Sequence, residues 1–195
     1  MKPQLVVLAG PNGAGKSTFR DAFLSESPLP FLNADIVAAA AGVDSFEAAR
    51  VLDATRERMI GAGESFITET VFSDPMGAKL AMLEHAVRSG YEVMLIFICV
   101  ESAELSVRRV EQRVARGGHA VPIDRILSRY ARTLENLKKA IAIVPVIELY
   151  DNSSVAEPFQ LVATFRDGQV DYRAKGRLPG WTRGIVPPAR RSPKS

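Results

Sequence analysis

Residues 10–18 read Gly10-Pro11-Asn12-Gly13-Ala14-Gly15-Lys16-Ser17-Thr18, two glycines separated by four residues and followed by Lys and Ser. This is the P-loop pattern. Glycines let the backbone turn tightly and aim its N–H groups inward, where a helix N-terminus adds positive potential for phosphate oxygens. The pattern assigns Lys16 to the terminal phosphates of ATP and Ser17 to the Mg2+ that bridges them. Thr18 offers a neighbouring hydroxyl.

A second charged constellation lies between residues 108 and 132. Arg108, Arg109, Arg113, Arg116, Arg125, Arg129 and Arg132 stand there against only Glu111 and Asp124. Arg109, Arg113 and Arg116 fall at i, i+4 and i+7, and Arg125, Arg129 and Arg132 repeat the spacing. Two helices would each present a cationic face. Joined by Gly117-Gly118-His119, they could close over a polyphosphate as a lid and neutralise charge during phosphoryl transfer. The alternative is two solvated helices.

Transfer to an alcohol also needs a carboxylate to orient and deprotonate it. Asp35, with Asn33 beside it, follows the short apolar piece Phe31-Leu32. It reads either as that base or as the N-cap of a helix over 36–41. Glu69-Thr70 ends a strand, where α/β proteins collect ligands, and is a candidate acceptor contact beside ordinary strand-end polarity. Asp151-Asn152-Ser153 borders either the nucleotide base or a simple turn. His119 is a weaker ligand contact, and His85 reads as uninvolved. Cys99, in an apolar strand, reads as a buried thiol.

These groups need a scaffold, and the apolar pattern supplies one. Strand-length runs at Gln4–Ala9, Ser65–Glu69, Glu92–Val100 and Val146–Tyr150 alternate with helical periodicity, the pattern of βα units and a largely parallel sheet. Leu5–Leu8 and Val93–Val100 are nearly continuous apolar runs, as in central strands covered on both faces. Ser45 is a candidate cap for a helix to about Ala62, Asp74-Pro75 for one stopped by Ser89-Gly90, and Ser102 for one running toward Arg116. Pro122 or Asp124 starts another, with Leu127, Tyr130, Leu134 and Leu137 as its apolar stripe. Phe159–Arg166 and Gln169–Arg173 flank Asp167-Gly168 as a hairpin.

Composition narrows the class. The chain has 195 residues, 47% of them hydrophobic and 24% charged, which fits one globular domain. No apolar run reaches membrane-span length and no signal-peptide pattern opens the chain, so a cytoplasmic protein without membrane contact is expected. One cysteine and two histidines can build neither an internal disulfide nor a structural zinc site. Residues 175–195 carry six cations and no acid, so the overall +3 leaves −3 on residues 1–174. The expectation is a kinase domain over 1–174, with a lid at about 102–140, and a basic, mobile tail over 175–195. Aromatic residues are only 7%, which argues against a stacking groove for nucleic acid. An Asn-Lys-x-Asp motif is absent, and Val100-Glu101-Ser102 replaces the Asp-Glu of motor ATPases. Small P-loop proteins lacking both features are often kinases of small molecules, and an arginine-rich lid supports that reading.

Taken in order, residues 10–18, Asn33-Ala34-Asp35, Glu69-Thr70, Arg109-Val110, Arg113-Val114, Gly117-Gly118-His119, Arg129-Tyr130 and Tyr150-Asp151-Asn152-Ser153 resemble the zeta toxin family of P-loop kinases. The resemblance implies a five-stranded parallel core, ATP and Mg2+, and phosphorylation of a UDP-amino sugar such as UDP-N-acetylglucosamine. It further implies Asp35 as base, Glu69 and Thr70 as acceptor contacts, Arg113 and Arg129 as lid charges, and an antitoxin protein as partner; Asn33, Arg109, Arg116 and His119 are further candidate acceptor contacts. Other acceptors (an antibiotic, a sugar acid or a nucleic-acid 5′ hydroxyl) and a non-catalytic, nucleotide-dependent regulatory module are the competing readings.

Overall fold

A computed structural model describes residues 1–188. Its centre is one seven-stranded sheet. The strands are β1 (Gln4–Ala9), β2 (Phe31–Leu32), β3 (Phe66–Thr70), β4 (Glu92–Cys99), β5 (Val146–Asp151), β6 (Gln160–Arg166) and β7 (Gln169–Arg173), in the order β2-β3-β1-β4-β5-β6-β7. The first five run parallel, and the predicted hairpin β6-β7 extends the sheet antiparallel from β5. The expectation of about five strands therefore counts the parallel core correctly and falls two strands short of the whole sheet.

β1 lies between β3 and β4. The chain leaves β1 toward β2 and β3, then crosses to β4 on the other side. That reversal opens a crevice at the carboxyl end of β1, where the P-loop starts. Along β4 the side chains alternate. Val93, Leu95, Phe97 and Cys99 face the larger core, and Ile96 and Ile98 face a smaller one with Leu8, Ala14 and Phe19.

The larger core is roofed by α3 (Ser45–Ala62), α4 (Ala78–Arg88) and α6 (Ile123–Ala140) through Met59, Ile60, Leu83, Ala86, Leu137 and Ala140. The smaller one is closed by α1 (Lys16–Phe19), which continues as a π-helical turn over Arg20–Leu24. Phe23 stands largely in solvent and packs tilted or edge-on against Phe19 and Phe159.

Helix starts differ in detail from the sequence reading. Asp44, not Ser45, caps α3, accepting from the N–H groups of Phe46 and Glu47. Asp74 accepts from Ala78 and Lys79, but α4 starts only after Gly77. Ser102 caps α5 (Ala103–Val114) as predicted. On α6 the buried stripe is Ile126, Thr133, Asn136, Leu137 and Ala140, so Leu127, 42% exposed, lies off the face assigned to it.

The larger correction concerns the C-terminal stretch. Residues 175–186 do not leave the domain as a solvated tail. Trp181, Thr182, Ile185 and Val186 are buried, and Trp181 lies beside Phe97. The Trp181 indole N–H donates to Asp151 Oδ1 at 2.7 Å, and the Gly180 N–H donates to the Glu101 carboxylate. Two acids at the ends of β4 and β5 thus fasten the strap. Residues 189–195 of the expected tail lie outside the described residues. Trp181→Ala should cost about 3–5 kcal/mol of stability, from lost burial plus the cavity left behind. Denaturant titration measures this, and a loss below about 1 kcal/mol would return the segment to the status of a tail.

Candidate functional site

The loop between β1 and α1 packs so closely that side chains are excluded. A Cβ on Gly10, at φ 145°, would lie 2.0 Å from the Ile98 carbonyl oxygen. One on Gly15, at φ 97°, would lie 2.5 Å from Asn152 Nδ2. Glycine is required at both positions because the backbone is pressed against the β4 and β5 ends in a left-handed conformation. Asn152, which reads as a base-bordering or a turn residue, has a structural task here: its buried amide donates to the Ala14 carbonyl at 2.8 Å, and its N–H donates to the Cys99 carbonyl. The side chain clamps the P-loop onto the neighbouring strand ends.

Lys16 is buried within the loop. Its ammonium donates to the Gly10 and Pro11 carbonyls at 2.9 and 3.2 Å and stands 3.8 Å from Glu69 Oε1. Burial pulls its pKa below the usual lysine value. Glu69 and Asp35 oppose that shift, and Arg113 adds to it. Those four groups therefore share one electrostatic neighbourhood. Ser17 and Thr18 present their residues at the surface on the same turn.

Glu69 reaches the loop because β3 pairs with β1 in register, Leu8 opposite Glu69 and Ala9 opposite Thr70. Its Oε2 is buried with no hydrogen-bond partner, as is Asn12 Oδ1 in the loop itself. A buried carboxylate oxygen beside a P-loop, left unsatisfied by the protein, suits a divalent cation carried in with the nucleotide phosphates. Among the described residues no group of three or more His, Cys, Asp or Glu could hold a metal unaided. The phosphates would have to complete such a shell. Thr70 Oγ1 accepts from the Phe72 N–H and bends the chain away.

Behind Glu69 lies a residue the sequence did not single out. Arg56 of α3 is 2% exposed; its Nη2 donates to the Glu69 main-chain carbonyl at 2.8 Å, Nε to Thr68 Oγ1 at 2.8 Å and Nη1 to Asp53 at 2.7 Å. Lys79 of α4 pairs with the same aspartate. Arginine in an amphipathic helix ordinarily reads as solvated, so no local pattern marks this one.

Asn33, not Asp35, caps the helix over Ala34–Ala41 (α2), accepting from the Ile36 N–H at 2.8 Å. The two readings of Asp35 separate here: the cap is a different side chain, and the Asp35 carboxylate is exposed in the first turn.

The arginines divide into three groups. Arg113, exposed, donates to the His119 carbonyl at 2.8 Å, folding the hinge back on α5. Gly118 passes so near that a Cβ there would meet the Arg113 side chain at 2.6 Å. Arg116 and His119 are exposed in the same hinge. Arg109 lies elsewhere. Its guanidinium donates to the Ser153 carbonyl at 3.2 Å, burial lowers its pKa and Asp151 opposes that, which puts it on the β5 side of the P-loop, away from Glu69. Arg129 is half-buried, its pKa lowered first by burial and then by Arg125 and Arg132. That cluster has no carboxylate in its ion pairs among the described residues.

The lid is also less free than two hinged helices. Thr133 and Asn136 donate to the carbonyls of Val71, Phe72 and Asp74, and the Tyr130 hydroxyl donates to the Val100 carbonyl at 2.6 Å. The C-terminal part of α6 is fixed to the sheet. Cys99 beneath it is a buried thiol pushed up to about 12 by desolvation, as expected of an inert side chain.

Residues 5–137 match the AAA_33 family, described as an AAA domain. No curated protein matches the chain. Among solved structures, the AvrRxo1-ORF1:-ORF2 complex with ATP shares 18% identity at a TM-score of 0.64, over 87% of this chain and 60% of that one. This chain thus spans three fifths of that relative's length. The PezAT chromosomal toxin–antitoxin system of Streptococcus pneumoniae aligns at 18% identity and TM-score 0.57, over 93% and 76% of the two chains. The Pnkp1/Rnl/Hen1 RNA repair complex aligns at 18% and 0.55, over 70% and 46%. At such identities the likeness is one of fold, that of P-loop kinases with a mostly parallel sheet. No helix among the described residues is long and apolar enough to cross a membrane.

Proposed function

We propose that this chain, which belongs to the AAA_33 family of AAA domains, is an ATP-dependent phosphotransferase of the zeta toxin type, with the hydroxyl of a UDP-amino sugar such as UDP-N-acetylglucosamine as acceptor. The observation that carries the reading is the constellation at the carboxyl ends of β1 and β3. A buried P-loop lysine stands 3.8 Å from a carboxylate with an unsatisfied oxygen, within the electrostatic reach of Asp35 and Arg113.

In this reading the 10–18 backbone and Lys16 hold the β- and γ-phosphates, while Arg109 and the Ser153 loop flank the base. Ser17 and Glu69 would hold Mg2+, which would supply neutralisation of phosphate charge. Asp35 takes the proton of the acceptor hydroxyl as its oxygen bonds to the γ-phosphorus and the bond to the β–γ bridging oxygen breaks, leaving ADP. Asn33, Thr70, Arg116 and His119 face the acceptor. Arg113 releases the His119 carbonyl and, with Arg129, meets the transferring group. Catalysis is then alignment plus charge neutralisation. The likeness to toxin–antitoxin structures supports an antitoxin-like protein as partner.

ADP release measured across UDP-sugars, antibiotics, sugar acids and 5′-hydroxyl oligonucleotides tests substrate and chemistry together. Stimulation by a UDP-amino sugar is the expected result. Stimulation only by another acceptor moves the substrate assignment, and tight ATP binding without stimulation by any of them overturns the enzyme reading in favour of a regulatory module.

A further inference from the structure

We infer that Arg56 is a positioning residue for the transfer site, a single guanidinium that sets the spacing between the two carboxylate-bearing segments. The kinetic part of this inference rests on the phosphotransferase reading above.

Its contacts lead to both acids. Nη2 holds the main-chain carbonyl of Glu69, the last-but-one residue of β3. Nε holds Thr68 Oγ1, whose hydroxyl donates to the Leu32 carbonyl at 3.0 Å, at the end of β2. Leu32 is followed by Asn33, which caps the helix whose first turn carries Asp35. β2 contributes only two residues to the sheet, Phe31 opposite Ile67 and Leu32 opposite Thr68, so its ladder alone is a weak constraint on where α2 begins. The Arg56–Thr68–Leu32 chain is the additional tie.

Stability does not account for such a group. A buried ion pair is weakly stabilising at best, because desolvation offsets its attraction, and an apolar residue of similar volume often serves as well. What an arginine adds is a rigid planar fork with several donors at fixed angles. Here three acceptors on α3 and β3 fill it, and Asp53, shared with Lys79, draws α4 into the same arrangement.

The test compares wild type with Arg56→Met and Arg56→Lys. Met fills the volume, and Asp53 keeps its pairing with Lys79. Lysine keeps the charge but reaches fewer acceptors. In Arg56→Met, acceptor kcat/KM should fall about 10²-fold, the size of effect an ångström-scale misplacement produces. Nucleotide affinity, read by fluorescent ADP titration, should stay within about threefold, and Arg56→Lys should recover part of the loss. Amide hydrogen exchange should quicken at 32–36 and 68–70 and not at 10–16.

Equal losses in nucleotide and acceptor terms, or exchange that quickens everywhere, would make Arg56 a general structural residue and overturn the inference. So would unchanged kinetics. Should Arg56→Met fail to fold, Thr68→Val, which cuts the link to Leu32 with little change of shape, carries the same expectations. A wild-type protein that transfers phosphate to no acceptor refutes the function above, and the exchange pattern alone then decides the role of Arg56.

Discussion

Lys16→Met should lower acceptor-dependent turnover about 10³-fold while leaving the protein folded, the scale lost when one preorganised donor to developing charge is removed. The fold is expected to tolerate the change because the ammonium is not a stabilising group where it sits. It is desolvated, its nearest carboxylate is 3.8 Å away, and it bonds carbonyls of the loop it serves. The linkage has a definite sign. Folding lowers this pKa from the ordinary 10.5, so the ionised lysine costs stability at neutral pH. Between the folded value and 10.5 the unfolded chain binds more protons, and stability rises with pH. The Met variant lacks that contribution. Wild type should therefore gain on it as pH climbs through that window toward 10.5, measured by denaturant midpoints as a function of pH. A variant within tenfold of wild-type turnover would mean that the reacting phosphate does not sit at Lys16.

The same lysine illustrates what sequence discloses about this protein. Consecutive residues with a fixed task, such as Gly10 to Thr18, and continuous apolar runs such as Val93–Val100 are local signals, and the structure places both where the pattern puts them. The parallel core follows from them. Residues whose role depends on a distant partner carry no such signal. Arg56 looks like any helix-surface arginine until Thr68 and Glu69 are brought beneath it. Asn152 reads as a turn residue until the Ala14 carbonyl arrives from 138 positions away. Trp181, Ile185 and Val186 lie among Pro, Gly and Arg without helical or strand periodicity, so charge dominated the reading of residues 175–195. Glu101 and Asp151, far upstream, are what fasten that strap.

The lid shows the same division at finer grain. Arginine spacing identified two cationic faces, but not what each faces. α5 carries Arg109 toward the β5 side, where it meets the Ser153 carbonyl, and Arg113 toward the hinge. α6 is held by Tyr130, Thr133 and Asn136 to loops at the ends of β3 and β4. In the proposed transfer, movement that brings guanidinium groups onto a phosphate would come mainly from the 115–122 hinge and the ends of the helices it joins, and it would break the Arg113 contact with the His119 carbonyl.

Asp35→Asn should lower kcat about 10²–10⁴-fold, the range lost with a general base, with ATP affinity unchanged. The structure sharpens this expectation by giving the capping duty to Asn33, so the substitution removes no cap. Its stability cost should be only the favourable placement of a carboxylate in a helix first turn, about 0.3–1 kcal/mol. A large kinetic loss with so small a structural one would separate chemistry from folding. Glu69→Gln is the necessary companion. Its carboxylate is the better buried of the two and has the unsatisfied oxygen. If Glu69 helps hold the cation, this variant should raise the Mg2+ concentration needed for half-maximal rate, whereas Asp35→Asn should leave that concentration alone. Near-normal turnover in Asp35→Asn, with a large loss in Glu69→Gln that saturating Mg2+ does not restore, would transfer the proton-accepting role to the strand end. The exposed carboxylate of α2 would then be a first-turn charge and nothing more.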